Sequence, residues 1–262
     1  MKHLAYKTKI AGLFILALVF LQGCKKNDDN PPNPDLPVMK GELELINEFN
    51  LDVSEPSGLS FGKDGTSLFT VSDNTNKVYE LSFEGEIIRE LEYTGTDLEG
   101  ITYNPDDDVL AIVEERDRQM VILDYESGEE IERFDIDVKV GTDNKGLEGI
   151  SWNSNNHAYY ILNEDDPALL MIWKKTSGII SEINLNFAGD YSGIFVESNH
   201  ANLWIVSDES KMLYRCDYSA KVLEQFELDF SKAEGIVVDS DQNRVYIVND
   251  KLSKLFVYKI KK

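Results

Sequence analysis

The chain has little cysteine and little histidine: Cys24 and Cys216, and His3, His157 and His200, in 262 residues. With so few thiols there is no disulfide framework to hold the fold, which must stabilise itself by burial. Cys216 sits in the alternating run MLYRCDY and reads as a buried thiol rather than a nucleophile. Basic residues are also scarce, 26 Lys and Arg against 48 Asp and Glu, for a net charge of −22. Such a surface repels nucleic acid and anionic lipid headgroups and favours cations. Helical periodicity is missing too: after residue 40 the apolar residues alternate, and β-branched types are enriched, which predicts strands.

The first 40 residues read differently from the rest. Lys2, Lys7 and Lys9 precede an apolar stretch from Ile10 to Leu21, too short for a comfortable permanent span. It ends in Leu21-Gln22-Gly23-Cys24, which resembles the lipobox of bacterial lipoproteins. Residues 1–23 are therefore expected to be a lipoprotein signal peptide, with Cys24 the lipidated first residue of the mature chain. That predicts a protein anchored by inserted acyl chains in the cell envelope, on the periplasmic side of the outer membrane or at the cell surface. Residues 24–40 contain KKNDDNPPNPDLP, polar and proline-rich, and are expected to be a flexible linker. The domain proper is expected over 41–262.

Within that domain one phrase recurs five times: SGLSF from Ser57, EGITY from Glu99, EGISW from Glu148, SGIFV from Ser192 and EGIVV from Glu234. These anchors stand 42, 49, 44 and 42 residues apart. Fifteen residues after each comes a polar residue (Ser72, Glu114, Asn163, Ser207, Asn249), followed by an acid (Asp73, Glu115, Glu164, Asp208, Asp250). This period, with four short strands per unit, predicts a β-propeller of five four-stranded blades. A six-bladed ring is the alternative, but needs about 250 residues at this repeat length. The last repeat lacks a fourth strand, and GELELINEFNLD at 41–52 matches the fourth-strand segments GEIIRELEY and GEEIERFDI. The N-terminal strand is therefore expected to close the last blade, which removes open sheet edges.

In a propeller the first strand of each blade lines the channel and the second runs antiparallel to it. Each anchor and its partners fifteen and sixteen residues later should then meet at one mouth. Glu99, Glu148 and Glu234 converging there must either keep protons or share a cation. With Asn163 and Asn249 they form an oxygen-only candidate metal set, which points to one divalent cation, calcium first. Glu114, Ser57, Ser192 and Asp208 are expected to line the same mouth as ligand contacts. The acids that follow strand two have a plainer reading, as caps of the next turn. His157 and His200 fall in turns at the opposite face, which argues against a histidine base or His-bound zinc at the acidic mouth.

The LEGI phrases at Leu98–Ile101 and Leu147–Ile150, AEGI at Ala233–Ile236, and the strand-two endings VSDN, VEE, LNED, VSDE and VND resemble the SdiA-regulated (YjiK-like) family of bacterial envelope propellers. The resemblance runs over roughly 45–262 and extends in pattern to NHL and lactonase-like propellers, which implies a divalent metal held by Glu, Asn and Asp. Ser57 and Ser192 depart from the Glu of the other blades. Three functions follow as expectations: a lipid-anchored, monomeric module binding a cation and a small-molecule or protein partner; a metal-dependent hydrolase of lactonase or phosphoesterase type; and a carboxylate glycosidase, which needs two carboxyls about 5–10 Å apart in an open groove.

Overall fold

In a computed structural model, residues 38–138 and 145–261 are described. Cys24, the signal segment and the linker up to residue 37 lie outside the described residues. The domain is all-β, and its strands form five sheets arranged as a five-bladed propeller. The chain enters through β1 (Met39–Lys40) and β2 (Glu42–Asn50). Blade one is β3 (Pro56–Phe61), β4 (Leu68–Ser72), β5 (Lys77–Leu81) and β6 (Ile87–Thr94). Blade two is β7 (Leu98–Asn104), β8 (Val109–Glu114), β9 (Gln119–Asp124) and β10 (Glu130–Asp135). Blade three is β11 (Leu147–Asn153), β12 (Ala158–Asn163), β13 (Leu169–Lys174) and β14 (Gly178–Asn184). Blade four is β15 (Gly193–Glu197), β16 (Asn202–Ser207), β17 (Met212–Cys216) and β18 (Val222–Glu227). Blade five is β19 (Ala233–Asp239), β20 (Arg244–Asn249) and β21 (Lys254–Lys261).

Closure occurs where the sequence places it. Strand β2 pairs antiparallel with β21, from Glu42 opposite Lys261 to Asn50 opposite Lys254, and completes blade five. An unforeseen addition precedes it: β1 pairs parallel with β18, Met39 opposite Glu224. The step from one blade to the next falls at Gly41, whose amide donates to the Gln225 carbonyl (2.9 Å) and whose α-carbon lies against the Phe226 ring, leaving no room for a side chain. Strands β1 and β2 thus bridge blades four and five.

The core is divided among the blades. Five apolar clusters fill the five gaps between neighbouring sheets: one and two around Phe69 and Leu110, two and three around Met120 and Trp173, three and four around Tyr160 and Leu203, four and five around Leu213 and Phe256, and five and one around Leu68 and Tyr246. Each sheet therefore buries both faces, which is why the middle strands read as continuous apolar runs such as VLAIV in β8. At the axis the repeated glycine lets inner strands touch. A β-carbon on Gly100 would sit 2.8 Å from the Ile150 amide nitrogen, and one on Gly58 would sit 2.6 Å from the Glu99 carbonyl oxygen. The repeat needs glycine there because backbone meets backbone.

A carboxylate-lined mouth at the channel axis

Local β-sheet irregularity aims the anchor residues. In β7, Leu98 pairs with Glu114 and Gly100 with Val113, so Glu99 is the extra residue of a bulge. The same two-against-one register carries Glu148 between Leu147 and Gly149, and blades one and five are irregular at Ser57–Leu59 and Ala233–Ile236. A bulge turns a side chain out of the regular alternation. Here it delivers Glu99, Glu148 and Glu234 to the axis, where they line a cavity of about 170 Å³.

Eight carboxylates line that cavity: the three anchor glutamates with Asp73, Glu164, Asp190, Asp208 and Asp250. Ser57, Ser192 and Lys232 complete the lining, and Lys232 is its one basic residue. Lys232 is tied at once, its Nζ lying 3.0 Å from Oδ2 of Asp208 and its backbone amide donating to Oδ1. Two sets of three carboxylates come closer still. Oxygens of Asp73, Asp97 and Glu99 lie within 4.8 Å of one another, as do oxygens of Glu115, Glu148 and Glu164. Two oxygens on one calcium ion, at about 2.4 Å each, span at most about this distance. The cavity fits a hard cation by a second sign: Oδ1 of Asp250, a lining residue outside both sets, is buried without a hydrogen-bond donor among the described residues.

The electrostatics follow from crowding in a partly dry site. Burial, then Asp73 and Glu234, push Glu99 well above the ordinary carboxylate range against a lowering hydrogen bond from Ser57. Burial, then Glu99 and Glu234, do the same to Glu148. Glu234 rises to about 8, chiefly by burial, although Lys232 opposes it. Behind the first ring, Asp73 is raised to about 6 and Glu115 to about 7, each by burial first and then by Asp97. Burial and Asp190 raise Glu164. A chain of acids sharing protons is the state expected of such a ring before a cation arrives.

The arrangement redistributes the expected roles. Glu99, Glu148, Glu234, Ser57, Ser192 and Asp208 come together at the mouth. Asn163, Asn249 and Glu114 do not line the cavity. Asn163 Nδ2 donates to the carbonyls of Asp165 (3.1 Å) and Pro167 (2.8 Å). Asn249 Nδ2 donates to the Ser231 carbonyl (2.6 Å), while its Oδ1 accepts from the Leu252 amide (2.8 Å). Glu114 is almost wholly buried, accepts from Tyr93 Oη (2.8 Å) and the Thr96 amide (3.0 Å), and pairs with Arg133 (2.5 Å). Glu114 and Asn249 latch the loop that enters their own blade, and Asn163 latches the turn between β12 and β13. The next residue, read from sequence as a turn cap, lies among the cavity residues in four blades: Asp73, Glu164, Asp208 and Asp250. Successive strand residues face opposite ways, so one of the pair locks the loop while the other faces the cavity. Asp190 was missed. It stands two residues before Ser192, accepts from Ser207 Oγ and the Glu209 amide (3.1 Å), and supplies blade four with the acid its anchor lacks. Only its position ahead of a serine anchor could have flagged it.

The model of the SdiA-regulated family matches residues 42–259, and the chain belongs to that family. Among solved structures it is similar to a glutaminyl cyclase from Myxococcus xanthus, at 12% identity over 86% of this chain and 98% of that one, with a TM-score of 0.66. It is also similar to a streptogramin B lyase, at 16% identity over 84% of this chain and 74% of that one, with a TM-score of 0.50. At these identities the likeness is one of fold.

Proposed function

We propose that this member of the SdiA-regulated family is a lipid-anchored propeller of the bacterial cell envelope that binds one divalent cation, calcium before magnesium, at its acidic mouth. The observation that carries the reading is the cavity of about 170 Å³ lined by eight carboxylates and one lysine. Its volume favours an ion with a few ligand atoms over a drug-sized substrate, which needs about 300–1,000 Å³. Glu99 and Glu148, with Asp73 and Glu164 beside them, are the ligands we assign, and Glu234 with Asp250 supplies further charge. An ion held there would attract an oxygen of a small-molecule or protein partner, with Lys232 beside it. Attachment through Cys24 would tether the protein to a membrane, without involving nucleic acid.

The test is calorimetric titration of the purified, metal-free protein with calcium and with magnesium, combined with elemental analysis and thermal melting. Saturable calcium binding near one equivalent that raises the melting temperature, and that Glu148→Gln removes, supports the reading. Absence of binding to either ion would sink it. Turnover of lactone or phosphoester substrates by the loaded protein would instead move it to the hydrolase class, in which an ion activates water and a carboxylate accepts the proton.

A further inference from the structure

At the other ends of the inner strands lies a second, larger cavity of about 570 Å³, lined by residues from all five blades. Three residues after each anchor the chain places Ser60, Thr102, Ser151, Phe195 and Val237. The three hydroxyls stitch each blade to the next: Ser60 Oγ accepts from the Tyr103 amide (2.9 Å), Thr102 Oγ1 from the Trp152 amide (3.0 Å), and Ser151 Oγ from the Val196 amide (2.9 Å). In blade four the stitch is replaced by a phenyl ring. Phe195 is partly exposed in the cavity and meets Phe61 edge-on, with ring centres 5.8 Å apart. Tyr103 and Trp152 are partly exposed across the same space.

The charge around these rings is mostly of one sign, with His200 the one basic residue of the lining. Asp64, Glu197, Asp239 and Asp241 line the cavity, and neither lysine nor arginine does. Glu197 is buried and held by Ser240 Oγ, Asn202 Nδ2 (3.0 Å), Trp204 Nε1 (3.0 Å) and His200 Nδ1 (2.8 Å). Burial works to raise that carboxyl, but the hydrogen bonds outweigh it and keep it ionised. Asp64 and Asp241 are exposed at the rim. Aromatic faces attract cations through their quadrupole, and a rim rich in acids adds to that attraction. The volume also falls in the range of small-molecule sites.

We infer that this second mouth is a binding site for a small organic ammonium compound with an apolar body, seated against Phe195, Tyr103 and Trp152 with its charge toward the acidic rim. It is separate from the metal mouth and does not rest on calcium binding there.

The probe is benzyltrimethylammonium, titrated calorimetrically into the whole protein in excess calcium, with benzyl alcohol as the neutral comparison and tryptophan fluorescence as a second readout. The expected result is saturable binding of the cation, about tenfold or more tighter than the alcohol. Phe195→Ser, which restores the hydroxyl found in blade three, should weaken it by about tenfold, and Asp239→Asn with Asp241→Asn by several-fold. Asn at 239 can still accept the Gln242 amide (3.0 Å), so the turn stays capped. Glu148→Gln should change nothing. No saturable binding of the cation, equal binding of the alcohol, or loss in Glu148→Gln with retention in Phe195→Ser would each overturn the proposal. Should Phe195→Ser fail to fold by circular dichroism, the double rim variant decides between the same outcomes.

Discussion

Two neighbouring residues in one repeat can hold opposite roles, as Glu114 and Glu115 do. Glu114 is satisfied by Tyr93, Thr96 and Arg133, whereas Glu115 is raised to about 7 among its acidic neighbours. Substitutions should separate them. Arg133→Met leaves Glu114 buried with hydrogen bonds but no counter-ion, and should destabilise the protein by about 2–4 kcal/mol, measured by denaturant unfolding. Glu148→Gln has the opposite sign in metal-free protein. It removes one charge from a repelling cluster and should raise the melting temperature at pH 8 while abolishing the calcium response. At the axis, Gly100→Ala would force a β-carbon to 2.8 Å from backbone of the adjacent blade. A cost of about 2 kcal/mol or more is expected in the same assay, since backbone cannot yield as a side chain does.

At the scale of strands, bulge and closure matter most. The bulges in β7 and β11 displace Glu99 and Glu148 toward the axis, and the sequence marks each only as Glu-Gly. Strand β2 covers the outer edge of β21 over its whole length and contributes Leu43 and Phe49 to the clusters on either side of blade five. Removal of residues 1–50 would leave an open edge and an unfilled gap between blades. The shortened protein should lose cooperative unfolding and associate through β21, detectable by light scattering beside thermal melting.

Across the whole molecule, the net charge of −22 is uneven in its consequences. Surface acids such as Asp108, paired with Lys63, and Asp165, hydrogen-bonded by Lys145, are held below their ordinary range. Their stabilisation is present at neutral pH and is lost as pH falls through the acid range. The acids at the mouth, and Glu115 beside them, behave oppositely. Glu234 near 8, Glu115 near 7 and Asp73 near 6 bind protons more tightly folded than unfolded. The folded state therefore holds more protons than the unfolded one above the ordinary carboxylate range, and stability declines as pH rises from about 5 to about 8. Metal-free protein should melt highest near pH 5, with a melting temperature that falls steadily as pH rises to about 8.5. Millimolar calcium should flatten that alkaline limb, read from melting temperatures across pH with and without the ion. A profile unchanged by calcium would count against cation binding at the mouth.

The repeat phrase, its spacing and the match between residues 41–52 and the fourth-strand segments were enough to determine five blades, their strands and the closing strand. Those properties depend on local alternation and on a period, and both are written along the chain. The convergence of Glu99, Glu148 and Glu234 was legible for the same reason, because strand order in a propeller dictates which ends meet. Other features were decided only in three dimensions. The direction of each side chain at the end of strand two depends on sheet twist and register, so Asn163, Asn249 and Glu114 turned inward to hold loops while Asp73, Glu164 and Asp250 took the mouth. Asp190 joined the ring because blade four enters it without a bulge. Phe195 reads in sequence as one more apolar strand residue. Its exposure in the far mouth arises because four other inner strands surround the space it enters.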